Sequence, residues 1–233
     1  MRNMPRNPQS SRRIALGAAW VVGIGAAVPA EALTGTDAER RGAGTDAGAP
    51  LASFVPAGFR VAEVVRGALD ADGLRDTALV LESRRADARG ARARRLVVLL
   101  ARPEGRFVRA GEGRRVLLCT TCGAGGHART PVEVAIRGRE LVVRQSYGRR
   151  VVTTQSFRFR LREGRVLLAR YEERNRVPAT GQWALTRANL LTGDHVIETA
   201  VAGRDRTYDA FNDRPRMITL EACLQGAPLH VPD

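Results

Sequence analysis

The sequence predicts a mainly β fold: a single antiparallel β domain, built as a sandwich or a curled meander with few short helices. An α+β arrangement is the alternative. Three observations carry this. Short apolar runs rich in Val, Leu and Ile recur between turn residues, at 78–81, 96–101, 116–119, 132–136, 141–143, 166–169 and 196–201; they are of strand rather than helix length. Two segments alternate with period 2: Val132, Val134 and Ile136 oppose Glu133, Ala135 and Arg137, and Phe157, Phe159 and Leu161 oppose Arg158, Arg160 and Arg162. One apolar and one charged face is what an antiparallel sheet with a solvated side requires. Finally, no long segment shows a 3.6-residue period.

In chain order, residues 1–32 are expected to be a cleavable signal peptide. Arg2, Arg6, Arg12 and Arg13 precede an apolar or small stretch from Ile14 to Val28, and no acid occurs before Glu31. A spanning helix needs about 20 apolar residues, so a basic head, a short apolar core and Ala30-Glu31-Ala32 read as an export signal with an A-x-A cut. Val28-Pro29-Ala30 is the alternative cut, and Arg12-Arg13 leaves a twin-arginine route open beside general secretion. The expected address is periplasmic or secreted, with no stable membrane span after cleavage. Residues 33–50, made of Gly, Ala, Thr, Asp and Arg with little to bury, read as a flexible linker. Residues 51–233 then form the single β-rich domain, long enough for one sizeable core.

Strands are expected at 59–65 and 77–81, flanking an aspartate-rich loop. The arginine-dense stretch 84–95 reads as a polar loop between two apolar strands. Arg137-Gly138-Arg139-Glu140 and Arg162-Glu163-Gly164-Arg165 read as hairpin turns with a central Gly. A short helix is expected near residues 184–191.

The net charge is +14, and loss of residues 1–32 removes four arginines and one glutamate, leaving about +11. A basic surface suggests an acidic partner. Every cationic side chain other than histidine is Arg, however, with no Lys, and Ala and Gly are abundant; this fits a coding bias that places Arg at ordinary surface positions. With 5% aromatics and an exported address, nucleic acid is not expected as a partner. An unknown envelope component or protein is.

Residues 67–76 read Gly-Ala-Leu-Asp-Ala-Asp-Gly-Leu-Arg-Asp. Oxygen ligands at alternating positions, a Gly for the sharp turn and a last Asp three residues on are the pattern of a hard-cation loop. Asp70, Asp72 and Asp76 are the candidate Ca²⁺ ligands; the competing reading is a metal-free turn held by Asx-type hydrogen bonds from Asp70 and Asp72. The stretch resembles the calcium-type loop of FG-GAP repeats, Gly-Asp-Leu-Asn-x-Asp-Gly-x-x-Asp, with Ala68 in place of the first Asp. More broadly, the chain is similar to a family of uncharacterised exported bacterial proteins. The likeness rests on Phe54-Val55-Pro56-Ala57-Gly58-Phe59, the single degenerate aspartate loop, Cys119-x-x-Cys122-Gly123, Phe157-Arg158-Phe159 and Asn189-Leu190-Leu191-Thr192-Gly193. It carries no activity to transfer. One copy of the loop argues against a propeller, which needs several.

Three cysteines, Cys119, Cys122 and Cys223, admit several readings. A Cys119–Cys122 disulfide is the default outside the cytoplasm. Zn²⁺ held by the three cysteines with His127 or His230 is a less favoured reading, lacking a second C-x-x-C or a regular His pair. Redox chemistry would need a helix N-terminus to lower the first thiol's pKa, whereas the context here is strand and glycine turn. Free buried thiols are the remaining reading. G-x-S-x-G, H-E-x-x-H and the phosphate-binding G-x-x-x-x-G-K-[ST] are absent from the sequence. Glu172 and Glu173, adjacent on a strand, point to opposite faces. The expected role is a non-catalytic binding or structural module of the bacterial cell envelope. The rivals are a thiol- or metal-dependent periplasmic enzyme centred on the C-x-x-C, and a periplasmic inhibitor or immunity-type protein.

Overall fold

The computed structural model describes residues 49–123, 129–201 and 203–224. The signal at 1–32, nearly all of the linker at 33–50, His127 and His230 lie outside the described residues. A short helix, α1 (Ala49–Ala52), leads into two antiparallel sheets. The first contains β1 (Phe59–Gly67), β2 (Asp76–Ser83), β3 (Arg94–Arg102) and β4 (Arg106–Gly113), side by side in that order. The second is a seven-stranded meander of β5 (Val132–Arg137), β6 (Glu140–Tyr147), β7 (Val152–Arg162), β8 (Arg165–Arg176), β9 (Trp183–Asn189), β10 (Asp194–Ala200) and β11 (Thr207–Asn212), again in chain order. The mainly β, antiparallel class is as the sequence predicts, and among the described residues no helix is long and apolar enough to cross a membrane.

The uninterrupted apolar runs are explained by burial on both faces. Ala78, Val80, Leu96, Val98 and Leu100 of β2 and β3 join Leu141, Phe157, Phe159 and Leu168 of the large sheet in the main core. Their neighbours Leu79, Leu81, Val97 and Leu99 face the other way and form a second cluster with Leu51, Phe54, Phe59 and Phe107. The large sheet is buried mainly on one face, so β7 alternates, whereas β8 is buried throughout Val166–Ala169. Phe157 and Phe159 are fully buried, while Arg158 and Arg160 point out. The strand after Gln182, at the place where a helix was expected near 184–191, is β9. Leu185 and Ala188 are good helix formers, but β9 pairs with β8 on one side and β10 on the other along its whole length. Two complete ladders outweigh a local preference of a few tenths of a kcal/mol per residue.

Both predicted hairpin turns are present. Gly138 and Arg139 have φ of 57° and 62°, and Glu163 and Gly164 have φ of 50° and 73°. Two successive positive φ values match the right-handed twist of the flanking strands. At the far end of the chain, Leu168 N donates to Ile218 O (2.8 Å) and Leu220 N to Val166 O (2.9 Å). This segment covers β8 where β9 does not reach and drops Ile218 and Leu220 into the core.

Candidate functional site

Alternation on the large sheet sends one set of side chains into the core and the other into a groove of about 720 Å³ on the opposite face. The register of β6 to β10 aligns the groove residues, with some neighbours outside the lining such as Val142, Ser146, Leu185 and Glu198, in rows across the strands. One row runs Arg144, Ser156, Glu172, Arg187, Val196. The next, two residues along, runs Val142, Arg158, Arg170, Asn189, Asp194, and the third Ser146, Thr154, Arg174, Leu185, Glu198. Five arginines therefore line the groove, against Glu172 and Asp194 as the acids.

Those acids are already engaged. Glu172 accepts from Arg187 (3.4 Å), which also reaches Glu198 (2.8 Å). Asp194 accepts from Thr192 Oγ1 (2.5 Å) and Asn212 Nδ2 (2.8 Å), and these donors hold its carboxyl below the ordinary range. Arg158 reaches Glu140 (3.2 Å). Arg144, Arg170 and Arg174 are exposed and have no carboxylate partner among the described residues. Arg170 moreover sits directly opposite Arg158 in the β7–β8 ladder, a placement that costs a sheet stability. Elsewhere Glu82 takes Arg60, Arg94 and Arg129, and Glu112 takes Arg95, Arg109 and Arg114, while other exposed arginines such as Arg115 and Arg149 also have no carboxylate partner among the described residues.

Beneath the groove, on the core side of the same strands, lies a polar chain. Gln145 donates to Gln155 Oε1 (3.3 Å), Gln155 donates to Tyr171 Oη and to Glu173 Oε2 (both 3.0 Å), and Tyr171 donates to Glu173 Oε2 (2.5 Å). Asn175 donates to Glu173 Oε1 (2.9 Å). Burial pushes the Glu173 carboxyl up, but its three donors outweigh this and hold it below the usual value. Burial and the Glu173 carboxylate keep Tyr171 a phenol. This fully satisfied network fixes the register of β6, β7 and β8. It also shows Glu172 and Glu173 on opposite faces, as their adjacency requires. The network was not read from sequence, because Gln145, Gln155 and Glu173 come together only through strand pairing.

In the aspartate loop the three candidate ligands take separate parts. Asp76 is fully buried and accepts from Leu69 N (2.6 Å) through one oxygen and Ala101 N (2.9 Å) through the other. Asp70 Oδ1 accepts from Asp72 N (3.2 Å) and Asp72 Oδ1 from Leu74 N (2.8 Å), the Asx geometry. Arg102 lies 3.6 Å from Asp70 and 3.3 Å from Asp72. Among the described residues no group of three acidic, His or Cys side chains is arranged to hold a metal ion. With Asp76 committed to backbone and Arg102 already supplying positive charge, millimolar Ca²⁺ is expected to leave Tm unchanged. A rise in Tm would show that the loop takes the ion, because a ligand of the folded state alone must raise it.

Cys119 and Cys122 are disulfide-bonded, with Cα atoms 5.2 Å apart. The loop they close is pinned by Thr130 N to Thr120 O and Gly123 N to Thr130 Oγ1, both 2.6 Å. Cys223 is a free, fully buried thiol pushed up to about 12 by burial. Thiol titration at pH 8 is therefore expected to find no reactive group in the native protein, one in urea, and three in urea after reduction. Two reactive thiols in the untreated native protein would remove the disulfide.

A smaller cavity of about 240 Å³ beside Glu82, Arg94 and Val132 offers little to a ligand, since its one fully buried carboxylate is consumed by three guanidinium groups. No protein-family model matches the chain, and comparison with curated proteins and with solved structures finds no match.

Proposed function

We propose that the protein is an exported, non-catalytic binding module of the bacterial cell envelope, and that its binding surface is the groove of the seven-stranded sheet. The observation that supports this best is the convergence of five arginines on one sheet face, three of them without a carboxylate partner among the described residues. The lining offers binding groups rather than reacting ones. Thr154 shares a hydrogen bond with the Ser146 hydroxyl (3.0 Å), and Ser156 makes no hydrogen bond to Glu172, the carboxylate opposite it, which is engaged by Arg187. A nucleophile needs a positioned base within hydrogen-bond reach. The export half of the proposal rests on residues 1–32.

Two measurements test it. Expressed as the full chain, the protein is expected in the periplasm or medium with a new N-terminus near residue 33; recovery of the intact chain in the cytoplasm would refute export. Immobilised, it is expected to retain an anionic component of an envelope extract at low salt and to release it at high salt, since screening weakens exposed charge contacts. Retention unchanged in a variant with Arg144, Arg170 and Arg174 all replaced by Gln would refute the groove as the surface.

A further inference from the structure

We infer that the groove takes an acidic glycan, a polysaccharide segment carrying carboxylate or phosphate groups; this rests on the binding-module reading above and names its ligand class. The lining is rich in hydrogen-bond donors and poor in free acceptors. Its guanidiniums donate and cannot accept, and Glu172 and Asp194 are each engaged, by Arg187 and by Thr192 and Asn212. A ligand that fits must bring oxygens rather than N–H groups. That argues against a peptide, whose obligatory backbone donors would find few acceptors. The surface is also a sheet face, where main-chain groups are consumed in the ladders, so peptide addition to a free edge does not apply to it.

Three further features point to sugar rather than to a small anion. Antiparallel neighbours lie about 4.8 Å apart, so the first row, from Arg144 on β6 to Val196 on β10 and lining the groove throughout, spans about 19 Å across the strands. This suits an extended chain. Beyond β10, Tyr208 on β11 is 64% exposed and sits opposite Glu198 in the ladder, beside the groove. Ser156, Thr154 and Asn189 place uncharged polar groups among the arginines, matching hydroxyls between acidic groups. A guanidinium binds carboxylate and phosphate alike through paired donors, so the lining alone selects the charge class.

Titration of the full-length protein with polygalacturonate, a phosphomannan, neutral dextran and a thymidine oligonucleotide tests the inference. Binding of at least one acidic glycan is expected, weakened by salt, with none to dextran; which of the two binds distinguishes carboxylate from phosphate. The R144Q/R170Q/R174Q variant is expected to lose at least tenfold in affinity with its thermal melt retained. R139Q/R162Q/R165Q, equal in charge but altered only at hairpin ends outside the groove lining, is expected to bind as the parent does. Dextran binding equal to that of the acidic polymers, equal losses in the two variants, or tighter binding of the oligonucleotide would overturn the inference. If neither acidic polymer binds while the envelope extract still yields a component dependent on the groove arginines, the ligand class is wrong and the binding-module reading stands.

Discussion

Replacing Glu82 by alanine is expected to destabilise the protein by about 3–5 kcal/mol, the range for breaking a buried ion pair from one side. The Glu82 side chain is fully buried and that of Arg94 is 4% exposed, with Arg94 Nε 3.2 Å from Glu82 Oε1. Burial lowers the Arg94 pKa and Glu82 opposes that shift; without the carboxylate, a guanidinium that cannot shed its proton stays in the interior uncompensated. Arg94 also donates to Thr130 O (3.0 Å) and Leu118 O (3.3 Å). Its displacement would therefore loosen the disulfide loop from the sheet. The other partners, Arg60 and Arg129, are 45% and 62% exposed, and their removal is expected to cost under about 1 kcal/mol each. Urea denaturation of the three variants checks this. A loss below about 1 kcal/mol for Glu82→Ala would contradict the buried-pair account.

The second large effect is at Asp76. Asp76→Ala leaves the amides of Leu69 and Ala101 without acceptors inside the protein. At about 1–3 kcal/mol for each unsatisfied buried group, the two amides together give an expected loss of roughly 2–6 kcal/mol. Asp76→Asn is expected to fall between, because one carbonyl oxygen remains while the new NH₂ faces a backbone donor. Hydrogen exchange should localise the damage, with the Leu69 and Ala101 amides losing protection before the rest of β2 and β3. Uniform loss across both sheets, or none at these two amides, would mean that Asp76 does not tie the loop to β3.

Asp76 also illustrates what a sequence can and cannot disclose. Its spacing after Asp70 and Asp72 makes it look like the last ligand of a cation loop, because spacing says nothing about which way the carboxylate turns. The decisive partner, Ala101 N, is 25 residues away and becomes adjacent only when β2 pairs with β3. Where the signal is local, the reading holds. The alternation around Phe157 and Phe159, the turns at Gly138 and Gly164, the polar loop after Ser83 and the Cys119–Cys122 pair all depend on neighbours within a few residues. β9 was missed because Ala and Leu carry a helical preference that two flanking ladders override. The groove was invisible for a related reason. Arg144, Arg158, Arg170, Arg174 and Arg187 lie on four strands, and in a chain whose basic residues are all Arg apart from three His none of them stands out. Only the register of β6 to β9 brings them into rows.

The central claim is that this concentration of arginine serves a ligand rather than the fold. Arg170 opposite Arg158 is the position where the two requirements conflict. The most direct measurement is therefore Arg170→Thr, followed by urea denaturation and by retention of material from an envelope extract on the same preparation. Relief of the like-charge pair is expected to raise stability by about 0.2–1 kcal/mol while retention falls severalfold, the trade expected of a functional residue. A variant that is less stable than the parent and still retains the extract component would contradict the account and make Arg170 a structural residue.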